Sequence, residues 1–154
     1  MHSKASKVLA AIVCLLSAAP ARTLAAPKAC ELLTQAQVSA AVGANVTAGE
    51  PMGVNSCNWA TSAKGKSAEH VMVTVRVQDV KSFADAKARP VVGVPQEAAS
   101  GVGDDAFFDQ LGDLVTLNVK KGGSSFVVRV YGVKDVPRQR SIERTLARDA
   151  AAKL

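Results

Sequence analysis

The sequence predicts an α+β domain: an antiparallel sheet of about five or six strands, three helices packed on it, and one disulfide. Three observations lead to this prediction. Valine-rich runs alternate apolar and polar residues with the period of two that is typical of half-buried strands. Capping and periodicity signals mark helices between and after these runs. Two cysteines, Cys30 and Cys57, remain once an N-terminal leader is set aside.

The N-terminus has the pattern of a secretory signal peptide. Lys4 and Lys7 precede an apolar run over residues 8–19, which is shorter than the roughly 20 residues that a membrane-spanning helix needs. Small residues at Thr23 and Ala25 suit the two recognition positions of a signal peptidase. We therefore predict cleavage before Ala26.

This cleavage divides the chain into a signal peptide, residues 1–25, and a single α+β domain, residues 26–154. The domain has no second apolar run long enough to be a transmembrane segment, so we expect a periplasmic or secreted protein. Loss of Lys4, Lys7 and Arg22 leaves a formal charge of +3, against +6 for the whole chain. Such a mildly basic surface argues against a nucleic-acid partner.

The two remaining cysteines predict the disulfide. An even pair in an oxidising compartment is expected to be bonded. Cys30 and Cys57 are accompanied by neither a Cys-x-x-Cys spacing nor a partnering histidine, which argues against a redox or metal-binding pair. We expect their Cα atoms to lie about 4.4–6.8 Å apart.

Three segments carry helix signals. Thr34 and Gln37 form a capping box, and Gly43 suits the left-handed position that ends a helix, so the first helix is predicted over 35–42. A short alanine-rich helix is predicted from Ser82, its cap, to Ala88. The last helix is predicted over about 137–153.

The strand pattern is clearest where four valines alternate with other residues, at Val71, Val73, Val75 and Val77. We predict that these valines are buried on one sheet face. Further strands are predicted at 57–59, 105–108, 115–119 and 126–131, the last two joined as a hairpin through 120–125. Residues 90–103, with two prolines and three glycines, are predicted to be loop.

The last helix carries two stripes at four-residue spacing. Ile142, Leu146, Ala150 and Leu154 form an apolar stripe that we expect to be buried, packed on the sheet. The second stripe, here called the arginine ridge, consists of Arg140, Arg144 and Arg148. It is interpreted either as a solvated helix face or as a docking surface for an acidic envelope polymer, lipid headgroups or an acidic partner protein.

Two further residues are binding candidates. Trp59, the only tryptophan, is interpreted either as core packing beside the disulfide or as a ligand-stacking ring. Arg76 shares the non-valine face of its strand with Met72 and Thr74, and that face is a second candidate working surface.

No catalytic residue, metal site or cofactor is predicted. His70 is the only histidine after the leader, and no serine lies in a recognisable nucleophile context. Four aspartates lie close to one another in the sequence, but their spacing is not that of an EF-hand calcium loop. Tight turns also favour aspartate without any bound metal. The four aspartates are Asp104, Asp105, Asp109 and Asp113.

Three segments together resemble a known group of proteins. They are the opening Cys30-Glu31-Leu32-Leu33-Thr34 leading to Val38 and Gly43, the pair Cys57-x-Trp59, and the run Gly101-Val102-Gly103-Asp104-Asp105-Ala106-Phe107. The chain thereby resembles small exported bacterial envelope lipoprotein domains of unknown function, and more loosely PsbP-like α/β/α folds. It departs from the lipoproteins because no usable lipid-attachment sequence precedes either cysteine. The resemblance supplies no catalytic residues.

These observations favour a non-enzymatic binding or interaction module of the cell envelope. Its partner is an envelope protein, a polymer or a small ligand, which the sequence does not identify. The alternative is an inhibitor or accessory subunit of a secreted enzyme, with the 90–103 loop as its contact segment.

Overall fold

The computed structural model describes residues 28–62 and 70–154. The predicted signal peptide and its cleavage point lie outside these residues. In the described part, the chain forms an antiparallel sheet of seven strands, three α-helices and a short 3-10 helix, Ala29–Glu31. The predicted α+β class, the three helices and the disulfide are therefore confirmed.

The elements follow in the order α1, β1–β3, α2, β4–β7 and α3. The helices are α1 (Gln35–Val42), α2 (Val80–Ala88) and α3 (Val136–Ala151). The strands are β1 (Glu50–Met52), β2 (Ser56–Ala60), β3 (Met72–Gln78), β4 (Gln96–Ala98), β5 (Asp105–Leu111), β6 (Leu114–Lys121) and β7 (Ser124–Tyr131). Across the sheet the strands lie in the order β1-β2-β3-β7-β6-β5-β4. None of the helices in the described part is both long and apolar enough to cross a membrane.

The strand count of five or six was wrong because two three-residue strands were missed. β1 lies in a segment for which no strand was predicted, and β4 lies inside the 90–103 segment that was expected to be loop. Both are the outermost strands of the sheet, and neither has an alternating apolar pattern. Such edge strands form because a neighbouring strand offers unpaired backbone groups, and not because of their own side chains.

The sheet buries one face under α1, α3 and the 3-10 helix. Val71, Val73, Val75 and Val77 all lie in this core, as predicted, together with Phe108, Leu117 and Phe126. On the other face, Met72 and Thr74 are half-buried and Arg76 is exposed. Helix α2 covers one end of this second face, where the rings of Phe83 and Phe107 lie 5.3 Å apart. The second face is thus only partly covered, and we call its uncovered part the open face.

Helix starts follow their capping side chains. The predicted capping box of α1 is present: Gln37 N–H donates to Thr34 Oγ1 over 3.2 Å, and Thr34 N–H donates to Gln37 Oε1 over 2.9 Å. Helix α2 begins earlier than predicted, because Asp79 rather than Ser82 is its cap and accepts the Ser82 N–H at 2.6 Å. Asp135 caps α3 by accepting the Arg138 N–H.

The disulfide joins the 3-10 helix to β2. The Cα atoms of Cys30 and Cys57 lie 5.0 Å apart, within the predicted range. Trp59, only 1% exposed, packs beside it: a Cβ placed on Gly49 would come within 3 Å of both the Trp59 ring and Cys57 Sγ. A residue with a side chain would therefore not fit at position 49, because Cys57 and Trp59 of β2 lie too close to the backbone there.

The Gly101–Phe107 run also has a packing role. Gly103 has a positive φ of 59°, and a Cβ there would lie 2.4 Å from Lys120 O. The next residue, Asp104, accepts hydrogen bonds from Lys121 Nζ and from the Gly122 N–H. These two bonds lower the pKa of Asp104 and fasten the start of β5 to the β6–β7 turn.

Candidate functional site

The candidate site forms between α3, which packs on β6 and β7, and the neighbouring β4–β5 edge of the sheet. Helix α3 buries a wide arc of its surface, which holds Ile142, Leu146 and Ala150 of the predicted stripe and also Gln139, Glu143 and Ala147. The prediction was wrong for Leu154, which is 38% exposed because α3 ends at Ala151, before this position. The arginine ridge begins at the border of this arc. Each step of four residues turns about 40° around the helix, so successive arginines lie progressively farther from the sheet.

The three arginines differ in burial accordingly. The Arg140 side chain is 23% exposed, Arg144 is half-buried, and Arg148 is exposed. Of the two interpretations of the ridge, a solvated helix face describes Arg148 but not Arg140 and Arg144, which are partly buried. The core-facing arc is wider than the apolar stripe alone indicates, because it also includes polar residues.

Phe108 of β5 holds both inner arginines. This ring is fully buried, and the Cζ atoms of Arg140 and Arg144 lie 5.0 and 5.4 Å from its centroid. Contacts of this kind attract a guanidinium to the ring by about 0.5–2 kcal/mol, more when water is excluded. The two guanidinium groups thus lie side by side against one aromatic ring.

Arg140 and Arg144 differ in their hydrogen bonds. Arg140 donates from Nη1 to Glu97 Oε2 at 2.6 Å and from Nη2 to Gln110 Oε1 at 2.9 Å, so both of its terminal nitrogens are engaged. Arg144 has no hydrogen-bond or ion-pair partner among residues 28–62 and 70–154, and its Nε, like that of Arg140, is buried without an acceptor. A guanidinium carries five N–H donors and stays charged at physiological pH. Arg144 therefore offers an unused, charged hydrogen-bonding group.

These residues line a cleft of about 500 Å³, here called the arginine cleft. Its lining includes Glu97, Gln110, Val136, Arg140, Ser141 and Arg144. Val136 and the adjoining Pro137 give it an apolar rim at the start of α3. Arg148 lies outside the cleft, where its Nε donates to Gly101 O at 3.1 Å. The cleft thus combines one engaged cation, one unpaired cation, a hydroxyl group and an apolar wall.

A second polar group on α3 lies in the core. Glu143 is fully buried; its Oε1 accepts the Val130 N–H at 3.0 Å, and Gln139 Nε2 donates to Val130 O at 2.6 Å. The pairing between β6 and β7 extends only as far as Leu117 and Val128. The two side chains therefore bind the backbone of β7 beyond the point where β6 stops pairing with it.

Burial raises the pKa of Glu143 to about 8, although hydrogen bonds from Val130 and Gln139 and the charges of Arg129 and Arg140 act in the opposite direction. The carboxyl is mainly protonated at neutral pH. A protonated Oε2 is a donor, and the buried Gln139 Oε1 on the preceding turn lacks one. This pair serves to attach α3 to the sheet and does not reach solvent.

The other sequence candidates are spread over the molecule. Trp59 lies in the core, so a ligand could stack on its ring only by displacing core packing. Arg76 lies on the open face, on the opposite side of the sheet from the arginine cleft. His70 is exposed, immediately before β3.

Three of the four clustered aspartates, including Asp104 described above, have separate partners. Asp105 forms an ion pair with Lys87, and Asp109 accepts from Asn118 Nδ2 at 2.8 Å. In the described ranges, no three histidine, cysteine or carboxylate side chains group in a way that could hold a metal ion.

Sequence reasoning missed Phe108, Glu97 and Gln110 as partners of the ridge, because they belong to the short β4 and to the part of β5 nearest it. It also missed Gln139 and Glu143. A signal for these two was present: they share a four-residue spacing with Ala147 and Ala151, small residues that are typical of a helix face close to its neighbour.

In searches with this chain, no protein-family model, curated protein or solved structure matched.

Proposed function

We propose that this chain is a non-enzymatic binding module of the cell envelope, periplasmic or secreted, and that the arginine cleft holds its ligand. The observation that carries the proposal is the unpaired guanidinium of Arg144, held on Phe108 inside a 500 Å³ cleft. Burying part of a cation without a partner costs free energy. Such an arrangement is expected where a ligand supplies the missing partner.

Binding fits the chemistry of the cleft better than catalysis. Arginine keeps its proton in proteins, so Arg140 and Arg144 recognise anions but do not exchange protons with a substrate. Gln110 and Ser141 add neutral hydrogen-bonding groups. Together these side chains select and orient a ligand.

Export is supported by two features. The apolar run over residues 8–19, followed by small residues before Ala26, has the pattern of a cleaved leader. The Cys30–Cys57 disulfide belongs to a class of bond that persists mainly in oxidising compartments. The resemblance to exported envelope domains agrees with both.

The proposal is tested by nuclear magnetic resonance on isotope-labelled protein mixed with soluble fractions of envelope material. We expect at least one fraction to shift the resonances of Gln110, Ser141 and Arg144 together. Shifts confined to the open face around Arg76, or no shift with any fraction, would contradict the proposal.

A second candidate, an inhibitor or accessory subunit of a secreted enzyme, is favoured by one observation. The segment between α2 and β4 exposes two neighbouring valines, Val91 at 70% and Val92 at 99%, between Pro90 and Pro95. Apolar side chains on a proline-flanked loop suit contact with a protein partner. A photo-crosslinking residue at position 92 would give one discrete protein adduct in cells if this candidate is right. The same residue at exposed position 153 is the control.

A further inference from the structure

The arginine cleft has enough detail to indicate a class of ligand. We infer that it binds a single carboxylate attached to an apolar group, with Arg144 as the residue that contacts the carboxylate. This inference rests on the proposed function, since it names the ligand of the same cleft.

The charge balance of the cleft favours a ligand with one negative charge. Glu97 neutralises Arg140 through their 2.6 Å ion pair, which leaves Arg144 as the uncompensated cation. A doubly charged phosphate would exceed the single positive charge of Arg144, because the Arg140–Glu97 pair is neutral as a whole, and its second charge would stay uncompensated. A carboxylate carries only the charge that Arg144 lacks.

The shape of the donor group agrees with this. The planar guanidinium fork presents two parallel N–H groups, which match the two oxygens of a carboxylate. Phe108 restricts where the Arg144 guanidinium can lie, because its Cζ is attracted to the ring and lies 5.4 Å from the ring centroid. Arg140 competes less well for the ligand, because Glu97 balances its charge and two of its N–H groups are bonded to Glu97 and Gln110.

The rest of the cleft accommodates an apolar body. Val136 and Pro137 form one wall at the start of α3, and Ser141 lies between them and Arg144 along the helix. A carboxylate on Arg144 would therefore leave its attached group beside this wall. Two sources supply such chemistry: a free organic acid, and the C-terminus of a peptide that ends in an apolar residue.

The test is a titration with three probes: butyrate, acetyl-leucine as the analogue of a peptide terminus, and inorganic phosphate. Binding is followed through the Arg144 Nε–H resonance. We expect both carboxylates to bind more tightly than phosphate. Tighter binding of acetyl-leucine than of butyrate would indicate a peptide terminus, and tighter binding of butyrate would indicate a free acid. Phosphate binding as tightly as the carboxylates would overturn the inference.

Two variants at position 144 and one matched control complete the test. Arg144→Gln removes the charge and the two parallel N–H groups and should weaken carboxylate binding about tenfold or more. Arg144→Lys keeps only the charge, so its affinity should lie between those of the wild type and Arg144→Gln. Arg148→Gln removes an equal charge from the same helix outside the cleft and should change affinity less than about twofold. Equal losses in Arg144→Gln and Arg148→Gln would show general attraction by the helix, and would overturn the site.

The two proposals fail in different ways. If envelope fractions shift the cleft resonances but none of the three probes does, the carboxylate inference is wrong and the binding module stands. If the carboxylates bind at Arg144 but no envelope fraction reaches the cleft, the chemistry stands and the proposed function is wrong.

Discussion

Two neighbouring strips of α3 use polar side chains in opposite ways. Gln139 and Glu143, inside the buried arc, bond the backbone of β7 at Val130. Arg140 and Arg144, one residue further along the chain in each case, lie at the border of the arc against Phe108. The first pair is enclosed by the core, and the second opens into a cleft.

The difference shows how an unsatisfied polar atom should be interpreted. Both strips contain buried atoms without a partner, among them Glu143 Oε2 and Arg144 Nε. For Glu143, protonation removes the charge and turns Oε2 into a donor, so this strip does not need a partner from outside the core. For Arg144, protonation is already complete, so its acceptor must come from outside the residues described. Only the second strip therefore points to a ligand.

The largest expected effect tests the enclosed strip through pH. The pKa of Glu143 is raised from 4.5 to about 8 in the fold, so the folded protein keeps this proton where the unfolded chain has lost it. Stability from this group is therefore fully present below about pH 4.5 and falls as pH rises to about 8, by about 1.4 kcal/mol per pH unit at most. Urea unfolding across this range should show the fall.

Replacement of Glu143 by glutamine should remove this fall in stability with rising pH. The amide mimics the protonated acid at every pH, so Glu143→Gln should be increasingly more stable than the wild type towards about pH 8. Glu50→Gln, at an exposed position on β1, is the control and should follow the wild type. Parallel curves for wild type and Glu143→Gln would contradict a protonated carboxyl in the core.

The second prediction concerns the apolar centre of the buried arc. Leu146 is fully buried, and Leu146→Ala should lower the free energy of unfolding by about 3 kcal/mol, because it removes apolar contacts and leaves a cavity. Thr145→Ala, at the exposed neighbouring position, should change it by less than about 0.5 kcal/mol. Similar losses for the two variants would mean that α3 is not fixed to the sheet as described.

Much of the fold could be predicted because local signals agreed with tertiary structure. The capping box at Thr34 and the valine alternation in β3 depend on side chains close in sequence, and both were confirmed. The pairing of Cys30 with Cys57 was confirmed because only one pair remained after the leader. The short strands β1 and β4 were missed, since their structure comes from the strands beside them.

The site was less accessible to sequence reasoning for the same reason. Periodicity placed the three arginines on one stripe but did not show that β5 would bring Phe108 under two of them. Nor did it show that Glu97 and Gln110, far away in sequence, would engage Arg140 alone. A helix pattern gives the direction of a side chain, whereas its partners depend on how the sheet edge closes.

The smallest expected effect separates stability from binding within the ridge. Arg140→Gln loses its bonds to Glu97 and Gln110 and should lower the free energy of unfolding by about 1 kcal/mol, since its ion pair is partly exposed to water. Arg144→Gln loses only its contact with the Phe108 ring and should cost about 0.5 kcal/mol. Urea unfolding of both variants at one pH, with Arg148→Gln alongside, measures which variant loses more stability.

A larger loss of stability in Arg144→Gln than in Arg140→Gln would mean that the Arg144 guanidinium stabilises the fold. Its lack of a partner would then no longer indicate a ligand. A small loss, together with the expected weakening of carboxylate binding, would identify Arg144 as a residue retained for binding, because the fold does not depend on its charge.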